Sequence, residues 1–352
     1  MSSLEEVARL AQVSTATVSR ALSGRGRLSD ATRARVRAAA AELGYVVSAT
    51  ASSLATGRTR SIGVLVPLVD RWFFANVLDG IASRLAPRGY DITLYNVTDD
   101  AAQRRALFQT SLRRGRVDAV IALSLEFDAA ELSVLEELGL PLVGLGTPNP
   151  GLSTLRIDDD AVARMATAHL LELGHRDIAH IGRSRDGGDP DIPTLRRRGF
   201  EAAMAAAGVV PARFVATDFT IEDGYRAMGE LLRTGGGASA GPGGYAGRGG
   251  SAGRGGHEGP TAVFAASDEL AFGAMFAARD AGLSVPGDVS IVGVDGHELS
   301  GFFGLTTVEQ FPHAQGERAA DAALVALGED VAAPDPALPF ELVIRSSTAA
   351  RR

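Results

Sequence analysis

The chain has 352 residues, 45% of them hydrophobic, which is enough for two or three compact units with sizeable cores. It has no cysteine, so disulfides, thiolate metal sites and cysteine nucleophiles are excluded and a cytoplasmic location is expected; no apolar run reaches a membrane span, and the N-terminus lacks the pattern of a signal peptide. The formal charge of −7 is uneven: residues 1–60 carry nine arginines against four acids, a net +5, which leaves −12 on the rest and suits a protein that meets phosphates with one end only.

In chain order, residues 4–44 predict three short helices. Leu4, Val7, Ala8, Leu10 and Ala11 form a helical stripe. Gln12 and Val13 make a turn, Ser14 caps a second helix over Thr15–Leu22, and Ser29 caps a third over Asp30–Leu43 that ends at Gly44. Two helices joined by so short a turn describe a helix-turn-helix, here assigned to residues 1–45. Residues 46–60 are small and polar around Leu54 and are expected to be a hinge, a linker with the option of forming a helix.

From Ser61 onward strands alternate with helices, the signature of parallel sheets covered on both faces. Predicted strands are 62–66, 90–95, 119–123, 142–145, 178–181, 262–265 and 289–294. Predicted helices are 76–88, 101–114, 129–138, 162–173, 195–207, 222–233, 269–281 and 314–327. Breaks near Asp158 and Asp288 suggest two lobes within 61–348, about 61–158 plus 290–315 and 159–289 plus 316–345. Residues 235–259 hold 13 glycines in 25 positions and are expected to be a disordered loop insertion, since they bury too little apolar surface to offset chain entropy.

Several fragments resemble the LacI (lactose-repressor) family in order and spacing: Val13, Ser14, Thr17, Val18, Ser19 and Arg20; Thr32, Arg33 and Val36; Glu42 to Tyr45; Ile62 to Pro67; Phe73 and Phe74; Leu170, Leu173, Gly174 and His175; Arg196 to Phe200; Ala266 to Glu269; Val285 to Gly293; and Glu341 to Thr348. The resemblance covers about residues 4–348. It implies an N-terminal all-α helix-turn-helix domain plus an α/β two-lobe core like that of periplasmic binding proteins. The function it implies is a sequence-specific repressor whose affinity for double-stranded, pseudo-palindromic operator DNA is set by a small effector, a sugar by first expectation.

On this resemblance the second helix enters the major groove, with Thr15 and Ala16 at the sequence-reading positions. Arg20 either reads guanine or grips a phosphate. Ser14, Thr17 and Ser19 suit phosphate oxygens, and Ser23 and Arg27 add backbone contacts. The alternative is that Thr15, Thr17 and Ser19 are simply the wet face of an amphipathic helix. Ala51 and Leu54 match the hinge pattern in which a leucine wedges into the minor groove, against the alternative of a lone exposed leucine. Val47 and Ser48 replace the usual Pro-Asn, and Gln12 stands where glycine is common, which adds strain if that position needs a positive φ.

For the effector, the resemblance implies contacts from Asp70, Trp72, Phe73, Arg196, Phe219, Ser267 and Asp295, with Phe74 more a core residue. Arg196 and Asp295 have surface ion pairing as the alternative, and Asp158 and Asp159 are each either ligand contacts or helix caps. Sugar is favoured because Asp70, Arg196 and Asp295 suit polyol hydroxyls, with a purine or another metabolite remaining open. No cofactor or metal is expected. An enzyme is disfavoured because no Gly-x-Ser-x-Gly, P-loop or His-Glu-x-x-His pattern is present. A transport-type sugar-binding protein would need an export signal and no basic head. No heptad helix follows Thr348, so a homodimer is the expected assembly.

Overall fold

The computed structural model describes residues 2–22, 27–45, 57–98, 100–149, 151–183, 191–210, 213–235 and 259–351. Ser23, Ala51, Leu54, most of the 46–60 hinge and nearly all of the glycine-rich stretch lie outside the described residues.

The head is three helices, α1 (Leu4–Leu10), α2 (Thr15–Leu22) and α3 (Asp30–Glu42). A reciprocal Ser3–Glu6 capping box starts α1, and the Ser29 side chain accepts from Thr32 N to start α3. Val7, Ala8, Ala11, Val18, Ala21, Val36, Ala39 and Ala40 form its small core. Gln12 in the turn has φ 53°, the left-handed conformation in which a glycine would be unstrained.

The body has two sheets. The first has the order β2-β1-β3-β4-β5, all parallel, from β1 (Ser61–Val66), β2 (Asp91–Asn96), β3 (Ala119–Leu123), β4 (Leu142–Leu145) and β5 (Thr154–Leu155). The second has the order β11-β10-β9-β8-β6-β7, from β6 (Ile178–Gly182), β7 (Arg213–Ala216), β8 (Ala262–Ala265), β9 (Ser290–Asp295), β10 (Thr306–Glu309) and β11 (Glu341–Val343). Among the described strands, only β11 runs antiparallel to its neighbour. Strands β1, β3, β6, β8 and β9 are buried almost end to end because helices cover both faces, which is why they read as continuous apolar runs.

The expected lobe boundaries are corrected. Strands β9 and β10 belong to the second sheet, not the first, because they pair with β8 and with each other. The helix Pro312–Ala326 packs in the first lobe, not the second. The chain therefore crosses between lobes at 156–158, at 310–311 and again near 337–340, where Arg156 N donates to Pro336 O and Leu338 N to Arg156 O. It does not cross near Asp288. A fully apolar strand carries no sign of which sheet it will join, so sequence periodicity left this open.

The helices are α4 (Trp72–Leu85), α5 (Ala101–Ala106), α6 (Ala129–Leu138), α7 (Asp159–Glu172), α8 (Ile192–Ala206), α9 (Ile221–Gly235), α10 (Asp268–Asp280), α11 (Ser300–Phe303) and α12 (Pro312–Ala326). Helices α7 and α8 each begin three residues before their predicted starts and α11 is not predicted; two others differ more. Helix α4 begins four residues early, so Trp72, Phe73 and Phe74 form its first turn, not a loop; the buried stripe Val77, Gly80, Ile81 and Leu85 holds it in place. The predicted helix 101–114 is regular only to Ala106 and continues as a π turn and a 3-10 turn. Three helix pairs meet through glycine: a Cβ on Gly80 or Gly316 would lie 2.0 Å from a backbone oxygen across α4–α12, as would one on Gly273 across α9–α10, and one on Gly199 would lie 2.2 Å from Asp160 O across α7–α8.

Within the second lobe, His180 is fully buried, stacked on Phe264 at 4.7 Å and flanked by the rings of Phe200 and Phe214. Its Nδ1 pairs with Phe264 O at 3.0 Å, whereas Nε2 has no partner. Burial pushes the imidazole pKa down to about 4, only partly offset by the carbonyl bond. A base depressed on folding stabilises the native state above its unfolded pKa and loses that stability as pH falls from about 6.5 towards 4. His180→Gln is therefore expected to gain roughly 2 kcal/mol relative to the parent between pH 7.5 and pH 5. Paired denaturant titrations at the two pH values measure this, and a gap independent of pH would contradict it.

Candidate functional site

The head presents one polar helix face. Ser14 starts α2: its hydroxyl lies 3.2 Å from Thr17 N and 2.9 Å from Thr17 Oγ1. Val18 and Ala21 point into the core, which leaves Ser14, Thr15, Ala16, Ser19 and Arg20 exposed and Thr17 half-buried. Arg20 lies one turn beyond Ala16 and its Nε donates to Ala16 O at 3.2 Å. Arg27 is exposed just before α3. The hydroxyls and the leading end of α2 thus share one surface with the residues of the turn, the arrangement a groove-reading helix requires.

The second site is a cavity of about 590 Å³ between the lobes, at the carboxyl ends of strands from both sheets. Phe73, Arg196, Phe219, Ser267 and Asp295 all lie on its wall. Asp70 and Trp72 do not line it, a correction to the sequence reading. Asp70 is exposed and 4.0 Å from Arg71, and the Trp72 ring stacks on His297 at 4.4 Å in the first turn of α4. Phe74 both lines the cavity and packs on the core, edge-on to Phe73 at 5.4 Å.

Arg196 is only 5% exposed and is not part of a solvated charge run. Its Nε donates to Asp159 Oδ1 at 2.9 Å and its Nη1 to Ala266 O at 2.6 Å, with Asp295 Oδ1 4.0 Å away. Asp158 is the cap of α7, accepting from Ala161 N, whereas Asp159 is the buried partner of Arg196 and lies on the cavity wall. Burial raises the Asp159 carboxyl above the usual range, and the arginine only partly counters it. Asp295 is raised well above its ordinary value, again by burial first; Arg196 opposes this and the nearby Asp268 charge adds to it. Gln310 donates to Asp295 Oδ1 at 2.5 Å, and Asp295 itself holds φ 131° at the end of β9.

Behind this wall Asp268 is a fully buried hub. It accepts from Thr307 Oγ1 at 2.6 Å, His297 N at 2.8 Å and Ser300 Oγ at 2.8 Å, and burial lifts its pKa to about 7. Ser267 caps α10 through Leu270 N while it lines the cavity.

Several wall residues had no sequence signal. Gln310 and Gln315 follow β10, a strand the sequence does not reveal. On the first-lobe side Arg104 is bound to both oxygens of Glu131 and to Glu126 O, next to Phe127 and Asp128. His175 bonds Thr261, Ser290 and Ala349 on the side of the second sheet. No group of metal-ligating side chains occurs among the described residues.

Comparison with known proteins agrees with this geometry. Residues 3–48 match the family described as bacterial regulatory proteins, lacI family. Residues 59–243 match the periplasmic binding proteins and sugar binding domain of LacI family, and residues 167–348 match a periplasmic binding protein-like domain. The chain is 32% identical to the HTH-type transcriptional repressor CytR of Escherichia coli K12, covering 99% of this chain and 96% of that protein. It is also 32% identical to the HTH-type transcriptional repressor PurR of Erwinia tasmaniensis, covering 91% and 88%. Among solved structures, the lac repressor dimer bound to operator and the anti-inducer ONPF superposes with a TM-score of 0.80 at 25% identity, covering 99% of both chains. A complex of the transcriptional regulator CelR with cellobiose superposes with a TM-score of 0.67 at 30% identity, covering 99% of this chain and all of that one. With a helix-turn-helix head, a two-lobe core and these relatives along nearly its whole length, the chain belongs to the LacI family of DNA-binding transcriptional regulators.

Proposed function

We propose that this protein is a homodimeric repressor of the cytoplasm, acting by DNA binding and not by catalysis, whose hold on a pseudo-palindromic operator is set by a sugar bound between the lobes. The single observation that supports the sugar reading best is the buried set Arg196, Asp159, Asp295 and Gln310 on a cavity wall that also carries Phe73 and Phe219. Fixed donors and acceptors beside aromatic faces suit a ring with hydroxyl edges and C–H faces. In each head Thr15 and Ala16 meet base edges, while Ser14, Thr17, Ser19, Arg20, Ser23 and Arg27 fix the register on phosphates or, for Arg20, read a guanine. Ala51 and Leu54 of the two hinges meet at the operator centre.

A physical route joins the two sites. Helix α12 begins beside the cavity, where Gln315 Nε2 donates to Gln310 O at 2.6 Å. It ends at the root of the hinge, where Arg58 Nη2 donates to Leu327 O at 3.1 Å and Arg58 and Arg60 lie 3.7 and 3.6 Å from Glu329. A ligand that prefers one lobe angle shifts this helix and hence the hinge pair, and the coupling is reciprocal. An operator mobility shift titrated with a sugar panel tests the function. A folded dimer with no preferred duplex, or whose preferred duplex no ligand affects, contradicts it.

For the dimer, Phe302 is 89% exposed on α11, with Leu299 and Phe303 of the same short segment partly exposed. An apolar patch of this kind marks a protein contact. Phe302→Asp is expected to weaken self-association by about 2–4 kcal/mol, since a twofold interface carries the change twice. Sedimentation at low concentration reads the outcome, and an unaltered dimer would rule out this face.

A further inference from the structure

We propose that the hinge-side end of the first lobe is itself a DNA contact, in which Arg114 and Arg116 grip backbone phosphates at the operator centre. The proposal rests on the reading of Leu54 as the residue at that centre, and it adds a surface that belongs to neither the head nor the hinge.

Topology puts these side chains where the hinge leaves the body. Strands β1, β2 and β3 run parallel with β1 in the middle, Ser61 paired to Asp91 and Ile62 to Ala119. The segments that lead into them, 57–60, 88–90 and 114–118, therefore share one end of the sheet, opposite the end that opens on the cavity. Asp118 ties two of these segments together. Its Oδ1 accepts from Thr59 N at 2.7 Å and Thr59 Oγ1 at 2.9 Å, and its Oδ2 accepts from Arg60 N at 2.9 Å. Arg116 is two residues from this clamp, at most about 7 Å along the chain. Arg114 is two residues further, at the end of a short turn that the buried Leu112 anchors and Gly115 closes at φ 60°. In the other direction Leu54 is four residues from Arg58, so even a fully extended chain leaves Arg58 within about 14 Å of it. Phosphates line both edges of the groove that Leu54 enters, one charge per about 1.7 Å of duplex.

Charge supplies the second argument. Residues 101–117 hold five arginines and no acid, in a body of net negative charge. Arg104 and Arg113 are paired with Glu131 and Glu137. Arg114 and Arg116 are exposed and make no ion pair or hydrogen bond among the described residues. Both stand close enough to Tyr95 of β2 to oppose the rise that burial gives its hydroxyl pKa, which places them on one surface. The acids of the hinge root are already committed, Asp118 to the Thr59 and Arg60 amides and Glu329 to Arg58, Arg60 and the Tyr90 hydroxyl. In the lead-in segments and just past the end of α12, Asp91 and Asp330 remain as exposed acids, against Arg88, Arg114 and Arg116. An arginine without a protein partner meets a phosphate without breaking an existing pair, and its planar fork matches the phosphate oxygens. Each such contact releases counterions from the duplex and so is read in the salt dependence.

The test uses the full chain and the duplex it selects from a random pool, with affinity measured from about 50 to 200 mM salt. Arg114→Gln combined with Arg116→Gln is expected to weaken binding about tenfold or more without changing the ranking of single-base variants of the site. The logarithmic salt slope is expected to fall by about 2–4, since a dimer loses four contacts worth about 0.9 each. Arg114→Lys with Arg116→Lys is expected to keep the parental slope. Arg176→Gln, at an exposed position leading into β6 at the far end of the second lobe, is expected to keep it too. A parental slope in the glutamine variant, or an equal drop with Arg176→Gln, overturns the contact and leaves the heads as the DNA-binding surface. A changed base ranking overturns the phosphate assignment, and loss of the dimer on sedimentation assigns the pair to self-association instead. A parent protein that selects no duplex overturns this proposal and the repressor reading together.

Discussion

Arg196→Met is expected to cost about 3–5 kcal/mol of stability and to abolish any effector response, because it removes one member of a buried ionic set and leaves the others unpaired. Asp159, 3% exposed, would lose its only side-chain ion partner in that set, and Asp295 would lose the one cation that opposes its burial. Ala266 O would lose a donor as well. The pH dependence has a definite sign. Both carboxyls already sit above their ordinary value, so the folded form binds protons more readily than the unfolded chain, and their ionisation lowers stability as pH rises from about 4. Without Arg196 that penalty grows. The deficit of the variant should therefore be larger at pH 7.5 than at pH 5, where the carboxyls can take up protons. Adding Asp159→Asn to the variant should recover part of the loss. Denaturant midpoints at the two pH values read these outcomes, and a parental midpoint at pH 7.5 would show that the set is not held together by its charges.

Arg20→Ala is expected to weaken specific operator binding by roughly 2–6 kcal/mol per dimer, since a bidentate base contact is worth about 1–3 kcal/mol and two heads each lose one. The same variant separates the two roles open to this residue. If Arg20 reads a base, the ratio of specific to random binding falls and the salt dependence barely moves. If it grips a phosphate, both affinities fall together and the logarithmic salt slope drops by about one per contact. The helix itself should survive the change, because Arg20 is exposed and the buried face of α2 rests on Val18 and Ala21. Unchanged affinity for operator and random DNA alike would remove Arg20 from the interface.

Much of the site was legible because its residues sit beside local signals. Ser14 and Ser29 announce helix starts by short-range capping, and their side chains bond within three residues. Arg196 and Asp295 were found through the motifs around them, at a helix start and a strand end. Asp70 and Trp72 were misplaced for a related reason. The aromatic run looked like a loop, since Arg71 offers no side-chain cap, whereas packing against α12 draws the helix back to Trp72.

By itself the sequence determined the helix-turn-helix head, the alternation of strands and helices, the basic charge at one end and the family, all of which depend on neighbours within a few residues or on motif order. Only the tertiary structure decided which sheet β9 and β10 join, that α12 returns to the first lobe, and that Arg104, Gln310 and Gln315 share a wall with Arg196. Those are contacts between residues far apart in the chain, fixed by which buried surfaces fit each other, and a fully apolar strand or an isolated glutamine carries no local mark of the partner it will meet.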